Sequence, residues 1–368
     1  MAYTTVDNGE EYFNTVLWTG DASSDKSISG VGFQPDWVWA KNRSDSNDNQ
    51  VIDSTRGAGK ILRTNSTGTE LTRSSDVGAG GLQNFESDGF DVHSTSTNTN
   101  LNDSGELNVG WCWKVNGGTT STNNDGSITS TVQVNTTAGI SILTYSANAT
   151  AGATVGHGLG TTPAVVILKQ RSGTGDANWM FGHKAYVGNA AENIALDGNS
   201  YVVSADDQAG STFYRTAFTS TVFTLGDGQA GDWTGRTNRS GYTMVAYCFA
   251  EIEGYSKMGS YTGNGNADGT FVYTGFKPAW LLFKQTNASG ENWRIFDNKR
   301  SPFNQVDDHL FASSSSAEND ETGCDFLSNG FKWRNSDTHQ NGNDATYIYM
   351  AFAEHPFVSS KGVPVTAR

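Results

Sequence analysis

Three seven-residue stretches, each beginning with proline and ending with lysine, constrain the fold of this 368-residue chain most tightly. They are Pro35-Asp36-Trp37-Val38-Trp39-Ala40-Lys41, Pro163-Ala164-Val165-Val166-Ile167-Leu168-Lys169 and Pro278-Ala279-Trp280-Leu281-Leu282-Phe283-Lys284. Each reads as a β-strand, because proline at a strand entrance costs no central ladder bond. Side chains alternate along a strand, so the lysine shares a face with the proline and the residues two and four positions after it. Trp37, Val165 and Trp280 are then matching core residues. The three lysines are expected to emerge at one rim of each unit, so that Lys-to-Ala changes leave folding intact. Trp280→Ala should cost ~3–5 kcal/mol.

The flanks repeat as well. A short opening strand precedes each stretch: Thr15-Val16-Leu17-Trp18, Ile142-Leu143-Thr144-Tyr145 and Met258-Gly259-Ser260-Tyr261. A closing strand ends each unit: Val109-Gly110-Trp111-Cys112-Trp113, Val245-Ala246-Tyr247-Cys248-Phe249 and Ile348-Tyr349-Met350-Ala351-Phe352. One closing-strand face is large and the other mostly small, and both are apolar, which predicts burial on both sides. Phe85-Glu86-Ser87-Asp88-Gly89-Phe90 and Phe326-Leu327-Ser328-Asn329-Gly330-Phe331 place Asp-Gly and Asn-Gly between apolar flanks, a hairpin signal. The second unit has only Val222-Phe223-Thr224-Leu225 there.

These spacings predict an all-β chain of three tandem antiparallel β-sandwich, jelly-roll-like repeats. The first occupies 1–115, a linker with an extra strand 116–138, the second repeat 139–254, and the third, with a C-terminal tail, 255–368. The unit is too long for a solenoid repeat of ~20–50 residues.

Composition agrees. The 43 glycines, 42 aromatic residues and abundant Ser, Thr and Asn suit strands joined by tight turns, and no long amphipathic helix is visible. The net charge of −14 lacks the basic patch of a nucleic-acid binder. No apolar run is long enough to span a bilayer, and no signal-peptide core follows Met1. The expectation is therefore a soluble chain made in a cytosol. Cys112, Cys248 and Cys324 are odd in number and widely spaced, which fits buried thiols better than a disulfide framework or a zinc site.

Each chemical motif has a plain structural reading beside it. Asn264-Gly265-Asn266-Ala267-Asp268-Gly269 begins like a calcium loop, but Gly275 stands where the bidentate Glu belongs, so a polar turn is preferred. Asp45-Ser46-Asn47-Asp48-Asn49 is read as a solvated loop. Gly57-Ala58-Gly59-Lys60 fails as a phosphate loop, because Ile61 replaces the Ser/Thr. Asp53-Ser54-Thr55-Arg56 and Asp297-Asn298-Lys299-Arg300 share an Asp-x-x-Arg spacing, best read as a local ion pair or turn; His183 and Tyr186 replace it in the second unit. Asp307 and Asp308, adjacent on a strand, should point to opposite faces and make a poor acid/base couple. Among the histidines, His93, His157, His183, His309, His339 and His355, there is no His-x-x-x-His pair. Trp37, Trp39, Trp233, Trp280, Trp293 and Trp333 would stack on sugars if exposed, but core filling is preferred. No catalytic, cofactor-binding or metal-ligating residue is assigned, and the ligand-binding residues are unknown.

Several segments together carry a resemblance to a known family. They are Tyr12-Phe13 with Trp18-Thr19-Gly20, Gly32-Phe33-Gln34-Pro35-Asp36-Trp37-Val38-Trp39, Asp53-Ser54-Thr55-Arg56-Gly57, Asn124-Asp125-Gly126-Ser127-Ile128, Val155-Gly156-His157-Gly158-Leu159-Gly160 and Cys248-Phe249-Ala250-Glu251. The last of these continues through Gly254-Tyr255-Ser256-Lys257, and the run from Gly259-Ser260-Tyr261-Thr262-Gly263-Asn264-Gly265 to Tyr347-Ile348-Tyr349-Met350-Ala351-Phe352-Ala353-Glu354 completes the set. Together they resemble a family of virion structural proteins of marine bacteriophages, including cyanophages. The resemblance covers nearly the whole chain and implies a non-enzymatic protein of the particle surface, assembled in the host cytoplasm. A tail fibre, tail appendage or capsid decoration aiding host attachment is expected. Its partners would be other virion proteins and copies of itself, with three-fold symmetry the leading guess, and a host-surface glycan is the candidate ligand. Neither nucleic acid nor membrane insertion is expected. The alternative is a carbohydrate-binding or polysaccharide-degrading protein; a third option is a chaperone or scaffold absent from the mature particle.

Overall fold

Alternating aromatic and β-branched residues favour extended chain, and the computed structural model of this protein is built almost wholly of antiparallel strands. It describes residues 3–72, 81–94, 101–173, 178–185, 194–199, 218–226, 228 and 235–365. Helix among these residues is limited to single turns at Gly9–Glu11, Gly235–Asn238 and Thr338–Asn341.

One strand order recurs in three sheets. In the first sheet the opening strand Phe13–Thr19 pairs with the closing strand Leu107–Trp113. That strand pairs with Trp37–Asn42, which bears Lys41, and Gln50–Asp53 follows. The second sheet repeats the order as Ile140–Ser146, Thr243–Phe249, Val165–Gln170 and Met180–His183. The third does so as Ser256–Thr262, Thr346–Pro356, Phe276–Gln285 and Arg294–Asp297. Register is shared too: Trp37 lies opposite Trp113, Val165 opposite Phe249, and Trp280 opposite Phe352. A one-residue slip would exchange the two faces of a strand, so burial on both faces with different side-chain sizes pins this register.

Each sheet carries a smaller second layer. Lys26–Ser29, Gly89–His93 and Gly81–Glu86 form it in the first unit, and Thr154–Gly156 with Val222–Thr224 in the second. In the third, Phe271–Tyr273, Gly330–Trp333 and Asn319–Leu327 are joined through Val306–Phe311 to the main sheet, which curls into one eight-stranded sheet. The small face of the first closing strand meets its own second layer in a core with Trp18, Val38, Phe90 and Cys112. A Cβ on Gly110 would press on Phe90 and Trp18 at 3.2 Å, which explains why that position is small. Val166, Leu168, Ala246 and Cys248 face the corresponding core of the second unit.

The large faces do not serve separate sandwiches. Trp37, Trp113, Tyr247, Phe249, Trp280 and Phe352 belong to one continuous core that all three sheets share. The last residues of the closing strands converge there: the ring centres of Trp113 and Phe352 are 5.5 Å apart, and those of Phe249 and Phe352 are 6.0 Å apart. Trp280 meets Trp113 edge-on at 5.4 Å, and Trp37 stacks on Tyr247 at 5.0 Å. Aromatic pairs at such separations add ~0.5–1.5 kcal/mol beyond area burial.

Three expectations need correction. Lys41, Lys169 and Lys284 do not emerge at a rim: all three are fully buried. Their shared face, with Trp37 and Trp280, points at the common core rather than at water. The hairpin turns are Ser87-Asp88 and Ser328-Asn329, with Glu86 opposite Gly89 and Leu327 opposite Gly330. Each glycine therefore lies in the strand, where a Cβ would collide with the carbonyl oxygen of Ile28 or Val272 on the neighbouring strand. Finally, Asp307 and Asp308 both reach the Ser301 hydroxyl, at 3.2 and 3.1 Å, because an irregularity between Val306 and Asp308 breaks strict alternation. In the stretch between the first two units, Ser130–Asn135 adds to the edge of the second sheet beside Ile140–Ser146.

Candidate functional site

The chemically distinctive groups gather where the three sheets meet. At the contact of the first and second sheets, Arg56 donates to Asp53 at 2.5 Å, to the Val51 carbonyl and to Glu70. Glu70 is held from the other side by Arg171 of the second sheet at 2.8 Å. The Tyr247 hydroxyl crosses the same contact and donates to Asp53 at 2.8 Å. Burial opposes the Arg56 charge, yet Asp53, Tyr247 and Glu70 together hold its pKa above the ordinary value. Burial raises the Glu70 pKa, but the two arginines outweigh it and lower the net value.

The contact of the third and first sheets repeats this chemistry. Arg300 donates to Asp297 at 2.6 Å, to the Ile295 carbonyl and to Glu318. Arg43 of the first sheet grips Glu318 through two nitrogens, and Trp111 Nε1 donates to Asp297 at 2.9 Å. Burial again opposes the Glu318 charge, and Arg43 and Arg300 again win. The Asp-x-x-Arg pairs are thus local ion pairs, as read from their spacing, and each also anchors a neighbouring sheet.

Side-chain N–H groups cross all three contacts. The residue before each following strand donates to a backbone carbonyl of another unit: Asn49 to Phe311, Trp179 to Arg63, and Trp293 to Ala195. Lys169 Nζ donates to the Ser66 and Thr67 carbonyls of the first unit at 3.2 and 2.9 Å. Lys41 bonds the Asn42 and Asp45 carbonyls, and Lys284 the Glu291 carbonyl, within their own units. Burial lowers the pKa of Lys41 and of Lys284 to about 8.

The second sheet meets the third differently. His183 occupies the place of Asp53 and Asp297, opposite Val165 as they lie opposite Trp37 and Trp280. Its Nδ1 accepts from the Ala185 amide at 3.2 Å, and burial depresses its pKa to about 4. Tyr186, the counterpart of the arginines, lies outside the described residues.

What these groups can do chemically is limited by enclosure. Asp53, Asp297 and their arginines are fully engaged and have no open side for a substrate. All nine described tryptophans are buried, so sugar stacking on Trp37, Trp39, Trp280, Trp293 or Trp333 is closed off; Trp233 lies outside the described residues. Asn264, Asn266 and Asp268 close a polar turn, with Asp268 paired to Lys332. Asp48 pairs with Arg63, and no metal-ligand cluster occurs among the described residues. Cys112, Cys248 and Cys324 are buried free thiols. The more open chemistry is a groove of about 170 Å³ bordered by Thr129, Thr131, Thr144, Ser146, Thr243 and Arg171.

Sequence reading missed Glu70, Glu318, Arg43 and Arg171. The available signal was that Arg43 and Arg171 each stand two residues after a repeat lysine, with Thr286 in the third copy. The glutamates lie on loops, their partners across the contacts are 101 positions away for Glu70 and 275 for Glu318, and no spacing points to them.

This chain-long arrangement coincides with a family match. A family described as a domain of unknown function, DUF7483, matches residues 8–356. The chain belongs to that family. Neither a curated protein nor a solved structure matches it. The DUF7483 match runs through all three sheets without interruption, as the shared core does.

Proposed function

We propose that this chain is a non-enzymatic structural protein on the surface of a bacteriophage particle, in a tail fibre, tail appendage or capsid decoration. The observation that supports a structural role is the use made of its reactive groups. The buried Asp–Arg pairs, the bridging glutamates and Lys169 are spent on joining sheets, and most of the tryptophans on a common core. The particle assignment rests on the sequence resemblance. Immunogold labelling and mass spectrometry of purified particles test it, and absence of the chain from intact particles would overturn it. Assembly as a homo-oligomer with other virion proteins is part of the proposal, with three-fold symmetry expected. Light scattering of the purified protein reads the oligomer directly; a monomer would reject that element.

A carbohydrate-binding role is the second reading, and the hydroxyl-lined groove beside Arg171 favours it. Hydroxyl and guanidinium groups at a shallow surface suit sugar hydroxyls or an acidic sugar. Binding to a glycan array that is lost in Thr131→Val with Thr144→Val supports that reading. Depolymerisation of a polysaccharide by the purified chain would replace the non-enzymatic assignment.

A further inference from the structure

The three sheet contacts are not equivalent. Two are fastened by a glutamate gripped between arginines of both sheets, Glu70 by Arg56 and Arg171, and Glu318 by Arg300 and Arg43. At the contact of the second and third sheets, His183 stands where the other two have a buried aspartate, and Thr286 where they have the bridging arginine. We propose that protonation of His183 opens the contact between the second and third sheets while the other two stay closed, making this contact an acid-sensitive latch.

The geometry gives the mechanism. His183 is 1% exposed, and its Nδ1 accepts the Ala185 amide hydrogen. The neutral ring therefore carries its hydrogen on Nε2, which makes no well-formed hydrogen bond although the Tyr349 backbone of the third sheet lies close. A proton added at Nδ1 turns that acceptor into a donor facing another donor. The Ala185 bond is lost and a cation is left in an apolar site, stacked beside Phe181.

The surrounding charges do not compensate. Within its own strand, Met180–His183, there is no other titratable group. The next residue, Lys184, disfavours a second positive charge; Glu251 favours it but is already paired to Lys184 at 2.6 Å and Lys257 at 3.7 Å. From the third sheet, the Tyr349 backbone favours the charged ring, but less than burial disfavours it, and the Tyr349 phenol, its pKa raised by burial and by Glu251, is neutral. Burial is the largest influence on the His183 ring and favours its neutral form. At the other contacts the arginines outweigh burial and lower the pKa values of Glu70 and Glu318, so the ionised, bridging form of each glutamate is favoured there.

Hydrogen exchange read by mass spectrometry at pH 7.0 and 4.5, corrected for intrinsic rates, tests the latch on the full chain. Expected is at least a tenfold loss of protection at pH 4.5 in 180–183 and 346–352, with 50–53 and 107–113 unchanged. His183→Gln, which keeps an uncharged polar side chain, should remove the pH dependence. An equal loss at all three contacts, or the same selective loss in the variant, overturns the latch. Should the variant not fold, the His183 imidazole resonance of the wild-type chain decides. Titration in step with the loss of protection supports the proposal, and titration apart from it overturns it.

Discussion

Trp111 Nε1 and Asp297 Oδ2, 186 positions apart, are joined by a 2.9 Å hydrogen bond between the first and third sheets. Tyr247 and Asp53 make the matching bond between the second and first, 194 positions apart. A buried bond to a charged acceptor contributes ~1.5–3 kcal/mol. Trp111→Phe keeps an aromatic ring but removes the donor and part of the indole's buried volume, and should lower stability by at least that amount in urea unfolding. Asp297→Ala should cost more, ~3–5 kcal/mol, because buried Arg300 then keeps only Glu318 and Trp111 loses its acceptor. An unchanged unfolding midpoint in Asp297→Ala would show that the third-to-first contact does not depend on this pair.

The buried lysines reverse what their position in the sequence suggests. Lys284→Ala should destabilise by ~2–5 kcal/mol, like other truncations of long buried side chains, whereas Lys284→Met keeps the stem and removes the charge. The sign of the pH effect follows from the lowered pKa. Between about 8 in the folded chain and about 10.5 unfolded, the unfolded state binds more protons, so stability from this group rises with pH across that window. Below about 8 both states are charged and the burial penalty is fully present. Denaturation midpoints at pH 7.5 and 9.5 should rise less in Lys284→Met than in wild type; an identical rise would remove Lys284 as its source.

How much of this could be read from the sequence varied with the distance over which each contact acts. The recurrence of the strands and the matching of Trp37, Val165 and Trp280 as core residues followed from alternation and repeat spacing, which are local, whereas the pairing of each opening strand with its closing strand did not. The direction of the lysine face was not legible. Alternation says that Lys41 lies with Trp37 and Trp39, but not whether that face meets solvent or another sheet. The large closing-strand faces were the missing clue, since Trp111, Tyr247 and Met350 needed something to cover them, and the neighbouring sheets do so. The ion-pair bridges were invisible for a different reason. Glu70 and Glu318 act only because folding brings Arg171 and Arg43 to them.

Gly89 and Gly330 test the close packing of the second layers. In each case a methyl group would meet a neighbouring carbonyl oxygen, on Ile28 or on Val272, and backbone cannot rotate away as a side chain can. Gly89→Ala and Gly330→Ala should each cost ~1–3 kcal/mol from overpacking. Gly105 has no atom near its would-be Cβ but a φ of +84°, so Gly105→Ala isolates the conformational cost alone. Gly89 also has a φ of +154°, so Gly330 is the cleaner comparison: if Gly105→Ala costs as much as Gly330→Ala in thermal unfolding, the carbonyl contact is not the cause.

His309 supplies a second acid-sensitive group, this one inside the third unit. Its ring is fully buried between Phe296 and Phe311, at centroid distances of 5.6 and 4.9 Å, and neither nitrogen makes a well-formed hydrogen bond among the described residues. Burial, and then the nearby Arg294, depress its pKa to about 4. The unfolded chain, with an ordinary value near 6.5, binds more protons between these limits. Stability from this group is therefore complete above about pH 6.5 and falls as the pH drops toward 4, by about 3 kcal/mol at most. His309→Leu should flatten the dependence of unfolding free energy on pH in that window without altering protection at 180–183. Because His183 is depressed to about the same value, the variant should still lose stability between pH 6.5 and 4, but less than wild type does. A variant with the full wild-type slope would place the acid sensitivity elsewhere, and a variant with none would leave no share for His183.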